Sequence, residues 1–374
     1  MKKSIITGIS LLLILAAVSP IVLRPDQQDP DYSIQDMPLS GYSPIHKPFQ
    51  SSVTLSAAGD FLIHGPVYKD AETGKDQYDF RPMLEEVRPY FESADLAFIN
   101  QESILGGSSI GLSSYPSFNT PQEAGDALIE AGIDIVSMAN NHTLDRGEKA
   151  IYSAIGYYEE NNLPYVGAYK NEKDSETHRV LNKNGIRFGF LAYTYGTNGI
   201  QIPEGKPFLV NYIEQEKIQK DIREMKALSD CVIVSMHWGA EYHRYPNEEQ
   251  KLLAAQLAED GADVIIGHHP HVLQPIEWIT NSKGEKTLVI YSLGNFLSGQ
   301  ERDYKDIGGI VQIPFTKNSD GGSAEVSIGE PDFIPTLVTN RNKKDYRVRI
   351  LKDVDPKLNQ SIREHVLSPA EDKK

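Results

Sequence analysis

Cysteine is almost missing from this chain: one residue, Cys231, in 374. An internal disulfide is therefore excluded, and so is any zinc site built on thiolates. Cys231 opens an apolar run with no cationic neighbour beside it, so it reads as core rather than as a nucleophile. Net positive charge is lacking too. Lys and Arg number 37 against 52 Asp and Glu, a formal charge of −15. This excludes nucleic acid as a partner, because phosphate binding needs clustered cations. It also means that an anionic substrate must be drawn in by something local, such as metal ions. Tandem repeats and low-complexity tracts are absent.

What is there fits a globular α/β or α+β protein of one large domain or two ordinary ones, with 40% apolar residues and 22 prolines. Met1-Lys2-Lys3 leads into Ile5–Leu23, nineteen residues without a charge. That length spans a bilayer as a helix, and the two lysines favour a cytoplasmic N-terminus. Residues 1–23 are thus expected to anchor the protein in membrane lipid as a single pass, with the bulk of the chain extracellular. A cleaved signal peptide is the rival reading, with Pro20 poorly placed after its best small-residue site. Residues 24–52, with five prolines and no apolar period, read as an extended linker.

The folded part is expected to be residues 53–315, with 316–374 as a β-rich extension of the same domain ending in a frayed tail. Arg81 to Ser93 reads as a helix. Thr120-Pro121-Gln122-Glu123 has the form of a capping box opening another. Asn182-Lys183-Asn184-Gly185 turns a hairpin. Strand and helix alternate up to residue 267, which indicates a partly parallel sheet with helices outside.

The chemistry gathers at strand ends. Val264–Ile266 is an apolar strand closed by Gly267 and followed by His268, His269 and His271, with Pro270 holding the turn. Four other apolar strands end at Asp60, Glu102, Asn141-His142 and His237. The carboxyl ends of strands in one sheet share an edge, so these side chains can converge. Carboxylate, amide and imidazole donors suit Mn, Zn or Fe, and there are enough for two divalent ions with Glu102 as the bridge. Each residue has a plainer reading. Asp60 could be a turn carboxylate, His142 only a hydrogen-bonding neighbour, and His64 either a ligand or a bystander. His142 beside Asp145 otherwise suits a general acid oriented by the carboxylate. His269 is expected to point away from its two neighbours, and Trp238 and Tyr242 to pack the pocket wall.

Six segments in order carry a resemblance. They are Ala58-Gly59-Asp60, Asn100-Gln101-Glu102, Ala139 to Gly147 around Asn140-Asn141-His142, His237-Trp238-Gly239-Ala240-Glu241-Tyr242, Gly267-His268-His269-Pro270-His271-Val272 and Tyr291-Ser292-Leu293-Gly294-Asn295-Phe296. As a set they resemble the bacterial capsule synthesis proteins of the CapA/PgsA type, within the calcineurin-like metallophosphoesterases. The resemblance implies a four-layer α/β sandwich and a dinuclear site with Asp60, His64, Glu102, Asn141, His237, His268 and His271 as metal ligands and His142 as acid. The spacing of the last histidine pair, taken as His268 and His271, is one residue longer than in the phosphatases. Poly-gamma-glutamate is the anionic polymer the resemblance implies, and ligase and export subunits in the membrane are the partners. It leaves open a metal-dependent hydrolase or transferase acting on a cell-envelope polymer or on a phosphoester, a non-catalytic polymer-binding assembly factor, or an envelope protein unconnected with any capsule.

Overall fold

Period-two alternation decides which face of a sheet each residue serves, and the first long strand shows it. A computed structural model describes residues 48–320 and 324–368. In β1 (Phe49–Leu62), Val53, Leu55 and Ala57 enter one apolar cluster, while Ala58 and Phe61 enter another. A small hairpin, β2 (Glu72–Gly74) and β3 (Gln77–Tyr78), precedes β4 (Leu96–Gln101), β5 (Ile135–Ser137) and β6 (Tyr165–Val166). Then come β7 (Arg179–Lys183), β8 (Ile186–Thr194), β9 (Cys231–His237), β10 (Val264–His268), β11 (Ile276–Thr280) and β12 (Lys286–Ile290). The last strands are β13 (Asn295–Ser298), β14 (Ile307–Ser319), β15 (Ala324–Ile328), β16 (Asp332–Thr339) and β17 (Arg347–Ile350).

Among the described residues these strands form two large mixed sheets. The first runs β17-β16-β14-β1-β4-β5-β6, with β13 also on β1 and β15 on β14; the second runs β11-β12-β10-β9-β8-β7. The β1-β4-β5-β6 and β8-β9-β10-β12 segments are parallel. Leu96 and Phe98 of β4 share an apolar cluster with Ile233 of β9 and Val264 and Ile266 of β10, so the two sheets pack face to face. Helices cover the outer faces. Glu123–Glu130 and Gly147–Glu160 lie on the first sheet, and Gln215–Leu228 and Glu248–Asp260 on the second. The order is helix, sheet, sheet, helix.

Several expectations need correcting. β1 begins at Phe49 rather than Val53, because antiparallel pairing with β14 from Phe49↔Ser319 onward extends the strand beyond its apolar run. The helix expected from Arg81 to Ser93 is two short ones, Arg81–Leu84 and Arg88–Glu92. Pro89 lacks the N–H that would continue the first into the second. The Thr120 capping box does not form. The helix starts at Glu123 without a side-chain cap, while the Thr120 hydroxyl donates to Ser103 Oγ at 2.9 Å. The last residues are helical over Pro356–Val366, with the Asp355 carboxylate accepting from the N–H groups of Lys357 and Leu358 and Ile362 and Val366 buried. Their i, i+4 spacing was diluted by polar neighbours. The hairpin turn holds, with Asn184 and Gly185 at φ of 50° and 79° as a primed turn requires.

No helix among the described residues is long and apolar enough to cross a membrane. The expected anchor, Ile5–Leu23, and the linker up to residue 47 lie outside the described residues.

Candidate metal centre

Two sheets, not one, supply the candidate donors. β1 and β4 run parallel with Asp60 opposite Asn100, which brings Asp60 and Glu102 to the same edge. Gly59 makes this possible. A Cβ there would lie 2.0 Å from the Gly294 carbonyl oxygen, and the Asp60 N–H donates to that carbonyl at 2.8 Å. On the second sheet His268 of β10 stands opposite His237 of β9. Gly267 plays the same part as Gly59, since a Cβ there would meet the Tyr291 carbonyl at 2.0 Å. Beyond it the chain turns through left-handed His269 (φ 95°) and His271 (φ 59°), conformations that cost non-glycine residues free energy and persist only when the surroundings enforce them.

Between the sheets the side chains meet. Asp60 Oδ1 lies 3.4 Å from His268 Nδ1, and its Oδ2 3.3 Å from His271 Nδ1. Glu102 Oε1 is 3.6 Å from His237 Nε2 and 3.7 Å from His271 Nε2. Asn141 Oδ1 is 2.8 Å from His237 Nε2, and Asn100 Nδ2 donates to Asp60 Oδ1 at 2.8 Å. Several of these spacings exceed a good hydrogen bond. They suit donors that share an ion: two atoms each about 2.1 Å from a cation stand about 3.0–3.4 Å apart. Three overlapping triads have their donor atoms within 4.8 Å of one another: Glu102/His237/His269, Asp60/Glu102/His271 and Glu241/His269/His271.

The electrostatics point the same way. Glu102 is fully buried and neither carboxylate oxygen has a hydrogen-bond partner; His269 Nδ1 and both nitrogens of His268 are likewise buried without one. An unpaired buried carboxylate costs several kcal/mol at a rough estimate, so without a cation it protonates. Burial, then the Asp60 charge, holds the Glu102 carboxyl well above its usual range. Burial would raise Asp60 as well, but the close approach and charge of His268 and His271 outweigh it and hold it well below 3.8. Burial lowers His237 strongly and pushes His269 down to about 3, which keeps both imidazoles neutral, as ligation requires. For His271 burial is outweighed by Glu102 and Asp60, and its pKa is lifted to about 9, so this imidazole gives up a proton when it ligates a cation. This donor set fits divalent cations.

His142 stands at the rim, 5% exposed. Its Nδ1 lies 2.8 Å from Asp145 Oδ2, and the same oxygen accepts the Phe118 N–H at 2.6 Å. A carboxylate only accepts, so His142 carries a proton on Nδ1.

A family model described as bacterial capsule synthesis protein PGA_cap matches residues 54–300, a span that contains every residue of the candidate centre. The chain belongs to this family. Among its relatives in the capsule-synthesis family, a capsule biosynthesis protein CapA of Bacillus anthracis is 30% identical over 317 residues, covering 81% of this chain and 74% of its own. A PGA biosynthesis protein CapA of Bacillus subtilis (strain 168) is 33% identical over 204 residues, 54% of this chain and 52% of its own. Among solved structures, calcineurin-like phosphoesterase YfkN from Bacillus subtilis superposes with a TM-score of 0.48 at 15% identity, covering 84% of this chain and 100% of that one.

Within this chain, Asp60, Glu102, Asn141, His237 and His271 come together, from two sheets instead of one. His269 corrects the expectation that it points away: its ring centroid lies 4.9 Å from that of His237 and 5.9 Å from that of His271. His268 approaches Asp60 alone and joins none of the three triads; its ring packs against Phe98. Pairing His269 with His271 gives a His-X-His spacing one residue shorter than the pair His268 and His271. His64 also joins no triad. Its Nδ1 receives the Gly299 N–H at 3.2 Å, and Phe118 stands edge-on between it and His142. Burial lowers its pKa to about 4. Glu241 was not expected as a donor, although it stands four residues after His237 in a run that was otherwise noted. Asn198, with φ of 51°, was also missed. Its side chain reaches both Asn141 and His142, and no local signal in the sequence marks it.

Proposed function

We propose that this chain is a membrane-anchored, extracellular component of capsule synthesis or export that holds two divalent metal ions and acts as a metal-dependent hydrolase of the phosphoesterase type. The observation that carries the reading is Glu102, buried, with both oxygens unpartnered, and shared by the triads with Asp60 and His271 and with His237 and His269. Asp60, Glu102, Asn141, His237, His269 and His271 would hold the ions. Bound cations would supply Lewis-acid stabilisation of negative charge building on a phosphoryl or carboxyl oxygen.

The rest falls to the chain's own groups. The Asp145 carboxylate fixes the ring of His142 and stabilises its imidazolium, leaving Nε2 to give a proton to a leaving oxygen. Asn198 Nδ2 stands 3.4 Å from Nδ1 of the same ring. The names of the Bacillus relatives support a capsular polymer as substrate, and the resemblance of the motifs supports poly-gamma-glutamate, with ligase and export subunits as partners. Ile5–Leu23 would be the anchor.

Elemental analysis of the full chain, purified without chelator, tests this reading together with a phosphoester panel. Divalent metal is expected, and His142→Ala should cut turnover by about 10²–10⁴-fold with metal content retained. A protein that carries no divalent metal and takes none up refutes the proposal. Full metal occupancy with capsule output unaffected by His142→Ala would instead favour the non-catalytic assembly factor.

A further inference from the structure

The third triad lies at the mouth of the centre and contains a residue that the ligand set above does not use. Glu241 belongs to the loop that leaves β9 after His237. That loop is stitched onto the histidine turn: the Trp238 N–H donates to the His268 carbonyl at 3.2 Å and the Tyr242 N–H to the Pro270 carbonyl at 2.7 Å. Two left-handed residues bend it there, Gly239 at φ 84° and Tyr242 at φ 67°. At Gly239 a Cβ would collide with the Gln250 side chain at 2.5 Å. Tyrosine gains nothing from positive φ, so the backbone bond to Pro270 and the contact of its ring with His271, 6.1 Å between centroids, hold it in place. Glu241 is thereby held beside His269 and His271.

A loop carboxylate near two histidines is not by itself a site. The second observation is His269, 4% exposed, whose Nδ1 has no hydrogen-bond partner and which belongs to both the Glu102 triad and the Glu241 triad. The donor atoms of Glu241, His269 and His271 lie within 4.8 Å of one another. Donors on a single ion spread over a similar range, about 3.0 Å when adjacent and about 4.2 Å when opposite. The charge of Glu241 reaches inward, raising Glu102 after the larger effects of burial and Asp60. Unlike the other donors, Glu241 is exposed to solvent.

We infer that Glu241 is an outer, displaceable metal ligand: with His269 and His271 it completes the coordination sphere on the solvent side and occupies the position that an incoming anionic oxygen takes. This rests on the metal centre proposed above. It assigns the mouth of the site to a substrate that competes with a carboxylate, which a phosphoryl or carboxyl oxygen does.

The test is a cobalt(II) titration of the metal-stripped full chain, wild type and Glu241→Gln, followed by equilibrium binding and visible absorption. The side chain is exposed, so the variant should fold, and equal melting without metal checks that it does. The weakest-held cobalt equivalent is expected to bind at least about tenfold more weakly in Glu241→Gln, since removing even an indirect support of a metal costs that much, and its absorption band should change in shape. Equal affinity and an unchanged band in the variant overturn the role of Glu241 while leaving the centre standing. A wild-type chain that takes up no cobalt overturns the centre and Glu241 with it.

Discussion

His268 and His269 are adjacent in the chain, yet the turn sends them into different surroundings. The first ends a strand and packs beside Asp60 and Phe98; the second, at φ 95°, swings toward His237 and Glu102. If the donors are those of the triads, the two should respond unequally to truncation. His269→Ala should weaken metal binding by at least about tenfold, and His268→Ala by clearly less, as read by competition with a fluorescent chelator. A larger loss from His268→Ala would restore the pair His268 and His271 as the ligands. The left-handed backbone at 269 and 271 is held by tertiary contacts, among them the bond from the His269 N–H to Asp60 Oδ2 at 3.3 Å. Asp60 therefore acts on the site through the backbone of the turn as well as through its carboxylate.

Elements from the two sheets are tied together far from the metal centre. Asp230, just ahead of β9, takes Arg187 of β8 at 3.0 Å and Lys317 of β14 at 2.9 Å, so one carboxylate links the two sheets. Burial would raise its pKa, but the hydrogen bonds and charges of Arg187 and Lys317 prevail and lower it to about 2. A carboxylate whose folded pKa lies below its unfolded value stabilises the protein fully above the unfolded value, near 3.8, and loses that contribution as pH falls toward the folded one. Chemical denaturation at pH 6 and at pH 2.5 should therefore show a smaller stability gap between wild type and Asp230→Asn at the lower pH. A gap that does not narrow would mean that the carboxylate contributes no charge-dependent link. The C-terminal helix Pro356–Val366 adds a second tie, with Ile362 and Val366 buried in the cluster between the sheets.

At the scale of the molecule, the candidate centre sits where the two sheets meet, and cations would bind donors from both. Any ligand that binds only the folded state raises stability by mass action, about 2.7 kcal/mol at a free concentration a hundred times its dissociation constant. Chelation of the purified full chain should lower its melting temperature, and Mn(II) or Zn(II) should restore it. Melting indifferent to both would argue against ions bridging the sheets. The net charge of −15 gives such ions a further role, since an acidic protein must neutralise its site before an anionic substrate can approach.

The sequence by itself determined the elements that carry chemistry. Apolar runs ending in Asp60, Glu102, Asn141, His237 and His268 mark strand ends, because burial demands apolar alternation and function demands polar residues where it stops. The ordered motifs likewise contained the family. Only the tertiary structure decided that the donors come from two sheets, that His269 joins the donor triads while His268 packs against Asp60 and Phe98, and that Glu241 overlooks the site. These follow from contacts between segments distant in the chain: Gly59 against Gly294, Tyr242 against Pro270, β9 beside β10. The same cause moved the helix expected at Thr120 and drew Pro356–Val366 into a packed helix. Local pattern fixes which way a strand faces, but which strand lies opposite, and which rotated histidine meets it, depends on packing that no short stretch of sequence contains.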